Sequence, residues 1–201
     1  MYNIFRNTII IYVEKVKKME NAEFSEIKYK IQILAIKNKD SECLLKCTEF
    51  IEEFNESKIE DNNLMWFLSY HKALMEYRLN KIRLAIDSIN ISLNYVNEVE
   101  LNKEGTLSML MLAACYERFN KINDAKKIYK QLSKYCKKCG YINLRMCCIF
   151  SMACINNDFG KINKIMNMAE YIMYIPNNDV DLDKITLLKQ MYLSVERLNI
   201  S

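Results

Sequence analysis

Apolar residues fall at three- and four-residue intervals at both ends of this chain. Phe5, Ile9, Val13 and Val16 draw one stripe near the start, with Glu14, Lys15, Lys17 and Lys18 between them. Leu182, Ile185, Leu188, Tyr192 and Val195 draw another near the finish. Such spacing puts side chains on one face of an α-helix. The run Ile9-Ile10-Ile11 also suits a strand, but the stripe predicts a capping or linker helix over residues 1–22. Between the two stripes the pattern reads as helix, short turn, helix, several times over. Three Gly and one Pro in 201 residues agree with this, because those residues punctuate hairpins and loops. The expected fold class is all-α.

One turn punctuates the helices. It reads Arg118-Phe119-Asn120-Lys121-Ile122, and recurs as Arg78-Leu79-Asn80-Lys81-Ile82 and as Asp158-Phe159-Gly160-Lys161-Ile162, 40 residues apart each time. A looser copy stands at Arg197-Leu198-Asn199-Ile200, and a worn one at Asn38-Lys39. A fixed period with the same turn marks a stack of repeats. The register predicts a repeat domain over residues 23–201, with units at about 23–60, 61–100, 101–140 and 141–178 and a half-unit at 179–201. Gly105 is expected to break the chain before the third unit, Gly140 before the fourth, and Pro176 to end the fourth. Asp179 or Asp181 is placed to N-cap the last helix. Ala73, Ala113 and Ala153 recur at the same period and let paired helices approach closely. Ala85 and Ala125 face them, and Ile82, Ile122 and Ile162 are expected to seat the turn against the core.

Leu112-Ala113 followed by Tyr116, then Ala125 and Tyr129, resembles the tetratricopeptide (TPR) pattern L-G-x2-Y…A-x3-F, with Met109 where its Trp often stands. Unit two keeps Ala73, Ala85 and Ile89 but has Glu76 at the Tyr position; unit four keeps Ala153 and Pro176, with Ile165 and Ala169 in place of the Ala and Phe. This resemblance implies a TPR-like right-handed solenoid of antiparallel helix pairs, with a period of about 40 residues rather than the usual ~34. Long, degenerate repeats in a Lys-, Asn- and Ile-rich chain further resemble the RRNPP-type peptide-sensing regulators of Gram-positive bacteria and their phages, arbitrium receptors included. That likeness implies a concave face that clamps a short peptide and passes the result to DNA or a partner protein. Most members carry an N-terminal helix-turn-helix or three-helix effector domain. This chain has no room for one before its first repeat, so the likeness implies a sensor half without its output domain, or a stand-alone relative.

In a TPR stack the first helices of successive units line the groove. Counting back from the turn, the implied positions in unit two are Phe67, Tyr70, Leu74, Tyr77 and Arg78. Unit three contributes Leu110, Glu117 and Arg118, and unit four Phe150, Asn157 and Asp158. Rings grip the side chains of an extended peptide, while Asn157 holds a backbone amide and Arg78 or Arg118 a carboxylate end. The competing reading makes Phe67, Tyr70 and Phe150 inter-repeat core and leaves Arg78 and Arg118 as helix C-terminal cations. A carboxylate clamp for a chaperone tail is excluded, because Tyr70, Leu110 and Phe150 occupy the sites that need Lys and Asn.

Charge and chemistry narrow the function further. The net charge of +4 is mild, so direct nucleic-acid binding is not expected from the balance alone. The distribution is uneven, however. Glu49, Glu52, Glu53, Glu56, Glu60 and Asp61 make one stretch acidic, while Lys126, Lys127, Lys130, Lys134, Lys137 and Lys138 make another basic. A solvated face is the plain reading of the lysines, and a patch for nucleic acid or an acidic partner the sharper one. Cys136-Lys137-Lys138-Cys139-Gly140 with Cys147-Cys148 has partial zinc-site spacing, but adjacent cysteines on a helix point about 100° apart. Core thiols are the expectation for these and for Cys43, Cys47, Cys115 and Cys154. Neither a metal nor any other cofactor is expected. His71 lacks a nucleophile or carboxylate at catalytic spacing, and no phosphate loop, nucleophile elbow or zinc-protease motif is present, so no enzyme is expected. Without a secretory signal or an apolar run of ~18 residues, the chain reads as cytoplasmic and independent of a membrane. The expected function is non-enzymatic binding of a short peptide or protein segment, with a peptide-pheromone sensor as the specific version. The alternative is an adaptor that holds a folded partner on charged convex faces. The bare stripe after Leu182 predicts a homodimer through the C-terminal helix.

Overall fold

The computed structural model describes residues 24–57, 61–96 and 102–173, with side-chain surroundings up to residue 167. The N-terminal stripe, Glu60, Pro176, the half-unit and the proposed dimer helix lie outside these residues. Every regular element described is an α-helix. The order is α1 (24–36), α2 (Asp40–Ser57), α3 (Asn62–Arg78), α4 (Ile82–Asn94), α5 (Lys103–Arg118), α6 (Ile122–Cys139), α7 (Ile142–Ile155) and α8 (Phe159–Met173). They fall into two compact units that part between Tyr95 and Val96. In the first unit α2 packs on α3 and α3 on α4; in the second α5, α6, α7 and α8 pack in succession.

The turns explain the sequence pattern. Asn38, Asn80, Asn120 and Asn157 all have positive φ, between 54° and 61°. Asn tolerates this left-handed conformation better than most residues. Around each, the helix closes as a Schellman motif. Lys81 N–H donates to the Glu76 carbonyl (2.8 Å) and Asn80 N–H to that of Tyr77 (3.1 Å). Lys121 and Asn120 repeat this to Tyr116 (2.8 Å) and Glu117 (3.2 Å), and Asp158 and Asn157 to Ala153 (2.9 Å) and Cys154 (3.1 Å). Gly140, at φ 75°, does the same between α6 and α7, with Tyr141 N–H donating to Cys136 (2.9 Å).

Three sequence expectations are corrected here. The fourth turn pivots on Asn157, not on Gly160, which lies inside α8 without a positive φ. Successive pivots are therefore separated by 42, 40 and 37 residues, and the period is not fixed. Gly105 is no break: α5 starts at Lys103, and the Gly105 N–H donates to the side chain of the N-cap Asn102 (2.8 Å). Ile82 and Ile122 are half-buried first residues of their helices, whereas Ile162 sits deeper, at the place Ala85 and Ala125 hold after their own N-caps.

Burial divides the helices into two kinds. α3, α5 and α7 are buried around much of their circumference, including Leu64, Leu68, Met75, Leu110, Leu144 and Phe150. α2, α4 and α6 bury one stripe each, in α6 the set Ala125, Ile128, Tyr129, Leu132 and Cys136. Apolar burial at roughly 25 cal/mol per Å2 makes these stripes the main source of cohesion within each unit.

Candidate functional site

The implied groove residues fall into two structural groups. Phe67, Tyr70, Tyr77, Leu110 and Phe150 are all buried, from 0 to 6 % exposed. On α3 the structure brings Phe67 and Tyr70 together around His71, whose ring lies 4.1 Å from Phe67 and 5.5 Å from Tyr70. His71 Nδ1–H donates to the Phe67 carbonyl at 2.9 Å, one turn back in its own helix. Trp66, which sequence reasoning missed, stacks on Tyr70 at 5.5 Å, and the Lys28 ammonium from α1 stands 5.9 Å from the Phe67 ring centre. Leu74 is half-buried.

The polar members of the set sit at helix ends. Arg78 reaches back from the end of α3 to the Ala35 carbonyl (3.0 Å) and the Asp40 carboxylate (2.7 Å). It thereby ties α3 to the α1–α2 turn, a link 38 to 43 residues long in sequence. Glu117 accepts from the Tyr129 hydroxyl at 3.2 Å, which joins α5 to α6. Arg118 is exposed at the end of α5. Asn157 is the exposed pivot of a turn, and Asp158 N-caps α8 by accepting from Lys161 N–H at 3.1 Å. Arg78, Glu117 and Asp158 thus each have a local structural task.

An open concavity lies elsewhere, on the outer side of α1 and α2. Two neighbouring surface cavities of about 340 and 370 Å3 have Lys30 and Phe50 in common as lining. Ile27 and Phe54 supply apolar wall in the first, Ile33 and Leu34 in the second. Lys30, Lys37, Lys46 and Glu42 border the second, and Glu26, Lys30 and Glu53 border the first. Tyr29, 64 % exposed, stands beside the second cavity. No repeat-based count points to these cavities, whose lining comes from α1 and α2.

The chemical candidates sort plainly. Cys43, Cys47, Cys115, Cys136, Cys147 and Cys148 are buried, Cys154 is half-buried and Cys139 is exposed. Among the described residues no three His, Cys, Asp or Glu side chains converge as a metal would need. Hydrogen bonding to Cys136 and burial push the Cys148 thiol far above its ordinary value, and Cys47 is raised likewise by Cys43. Both thiols are therefore held neutral. Glu76, at the degenerate Tyr position, is buried at 4 % exposure, and burial raises its carboxyl above the usual range against a hydrogen bond from Ser88. Among the described residues its Oε2 has no hydrogen-bond partner, and neither has the buried Ser69 hydroxyl two turns earlier on the same face of α3. Among the described residues no helix is long and apolar enough to cross a membrane.

Comparison with family models, curated proteins and solved structures finds no match to this chain.

Proposed function

We propose that the chain is a non-enzymatic helical-repeat module, TPR-like in its hairpins, that binds another polypeptide. The observation that carries this reading is the pair of neighbouring cavities along α1 and α2, with apolar walls and a rim of both charges. Apolar concavities with a few placed charges suit a polypeptide that buries alternate or i, i+3, i+4 side chains. The recurrent Asn-pivoted turn supports the repeat character, since one closure serves hairpin after hairpin. Burial of Phe67, Tyr70, Tyr77, Leu110 and Phe150 directs a ligand away from the inner helices and toward these outer cavities. That favours an adaptor for a protein partner. The peptide-pheromone sensor rests on the family likeness and is the narrower version of the same reading. In both versions the protein works in the cytosol without cofactor or catalysis.

The test is thermal melting with two pools, short peptides from small open reading frames beside the gene and fractionated cytosolic proteins. A ligand at 100 times its Kd adds about 2.7 kcal/mol, a rise of several degrees. The rise is expected to vanish in Phe50→Arg, whose half-exposed side chain lines both cavities. A rise with a peptide selects the sensor, and a rise with a protein fraction selects the adaptor. No response from either pool, or a response that Phe50→Arg leaves intact, overturns this site.

A further inference from the structure

We infer that α6 is a landing strip for the phosphate backbone of a nucleic acid, independent of the α1–α2 cavities. Lys127, Lys130, Lys134, Lys137 and Lys138 are all exposed on this helix. At 100° per residue they fall within an arc of about 100°. The only other residue of α6 on that arc is Asn123, and the arc lies opposite the buried stripe of Ala125, Ile128, Tyr129, Leu132 and Cys136. Among the described residues none of the five lysines is paired with a carboxylate.

The other outward-facing helices show what solvation alone requires. On α2, Lys46 pairs with Glu49, and Lys39 just before it pairs with Glu42. On α4 the exposed positions mix Arg83 and Asp87 with Leu84, Asn90 and Ile91. On α6 the lysine arc itself carries no acid, and the exposed Asp124 of the first turn stands about 40° beyond its edge, although like charges at i, i+3 and i, i+4 destabilise a helix by a few tenths of a kcal/mol each. The helix dipole favours Lys137 and Lys138 in the last turn. It gives no such support to Lys127 and Lys130, nearer the N-terminus.

The stripe's chemistry chooses the partner. From Lys127 to Lys138 the axial rise is about 16 Å, over which one strand of a duplex presents about five phosphates. Exposed lysine–carboxylate pairs contribute about 0–1 kcal/mol each, too little to offset the cost of associating two proteins. Phosphates reward the same lysines through counterion release. A lipid surface calls for apolar side chains to insert, and the lysine arc has none. Nor has it an aromatic ring or Arg to read bases, so contact is independent of sequence. The mild overall charge conceals the strip because the acidic residues of α2 lie in the other unit.

Fluorescence anisotropy with labelled single-stranded RNA and duplex DNA of about 20 nucleotides tests the proposal. With five phosphates neutralised, log Kd is expected to rise with log salt at a slope of about 4.5 for duplex and about 3.5 for single strand. Duplex affinity then falls about 500-fold between 50 and 200 mM salt. Replacing Lys127, Lys130 and Lys134 by Gln keeps helix propensity and leaves two contacts, so the same fall shrinks to about tenfold. Lys37, Lys39 and Lys46 replaced by Gln change net charge equally and are expected to leave the slope unaltered. Acetylation footprinting of the unmutated protein gives a second readout: RNA or DNA should protect Lys127 to Lys138. Equal loss from both triple variants, no protection, or no binding at 50 mM salt overturns the proposal. So does equal affinity for polyglutamate or for phosphatidylcholine vesicles with one quarter phosphatidylserine.

Discussion

The most informative residue is Asn157. In the sequence, Asp158-Phe159-Gly160-Lys161-Ile162 spells the turn so well that Gly160 takes the pivot. Physically the pivot is whichever residue takes positive φ, and Asn156-Asn157-Asp158 supplies a left-handed Asn followed by a carboxylate N-cap. The opposed effects of two substitutions test this. Asn157→Ala, forced into the left-handed region, is expected to cost about 1–2 kcal/mol. Gly160→Ala is expected to gain about 0.5–1 kcal/mol, since a Cβ there meets only Asp158 Oδ1 at 3.9 Å, ordinary contact distance, and helix propensity improves. Urea unfolding of both variants decides it, and a destabilised Gly160→Ala would return the pivot to Gly160. Gly105 misleads in a related way: the signal to heed was Asn102, three residues earlier, with Glu104 in the first turn.

At the scale of the element, the α3–α4 hairpin carries a built-in pH response. Glu76 sits between these helices with its carboxyl raised chiefly by burial. A raised folded value means that folding takes up a proton, so this group's contribution is fullest below its unfolded value of about 4.5 and is lost as pH rises through the folded one. Glu76→Gln removes the titration while keeping an acceptor for Ser88. Its stability relative to the parent, read by hydrogen exchange of α3 amides, is expected to increase from pH 4 to pH 7. A gap that stays constant with pH would show that Glu76 is not the source. The elements themselves were legible, because scarce Gly and Pro and recurrent Asn turns leave little besides helices. Which faces of α3, α5 and α7 are covered was not, since periodicity tells a residue's side but not what lies against it. Phe67, Tyr70 and Phe150 could be placed on one side by counting, and only packing shows them closed off.

At the scale of the molecule, the eight cysteines divide unevenly between the two units. Cys43 and Cys47 belong to the first, and the other six to the second. An aromatic disulfide reagent is expected to label Cys139 at once and Cys154 more slowly, while the six buried thiols resist. Raising urea should then release Cys43 and Cys47 as one set and Cys115, Cys136, Cys147 and Cys148 as another, as mass spectrometry of the labelled peptides would reveal. Simultaneous release of all six means that the units unfold as one. The zinc-like spacing around Cys136 was legible, whereas the burial of Cys136, Cys147 and Cys148 beside an exposed Cys139 is seen only in the packing.

The Asn-pivoted turn has a consequence for how such a chain changes its length. Its hydrogen bonds reach back only three to five residues, to carbonyls of the helix just ended. Nothing in the closure measures the distance to the previous one, which is why links of 42, 40 and 37 residues share the same clasp. Insertions or deletions inside a helix therefore need to satisfy only the neighbours that pack on it. Each link is free to drift in size while its clasp stays put, and the clasp, rather than any fixed count, is the ruler by which kindred chains should be aligned.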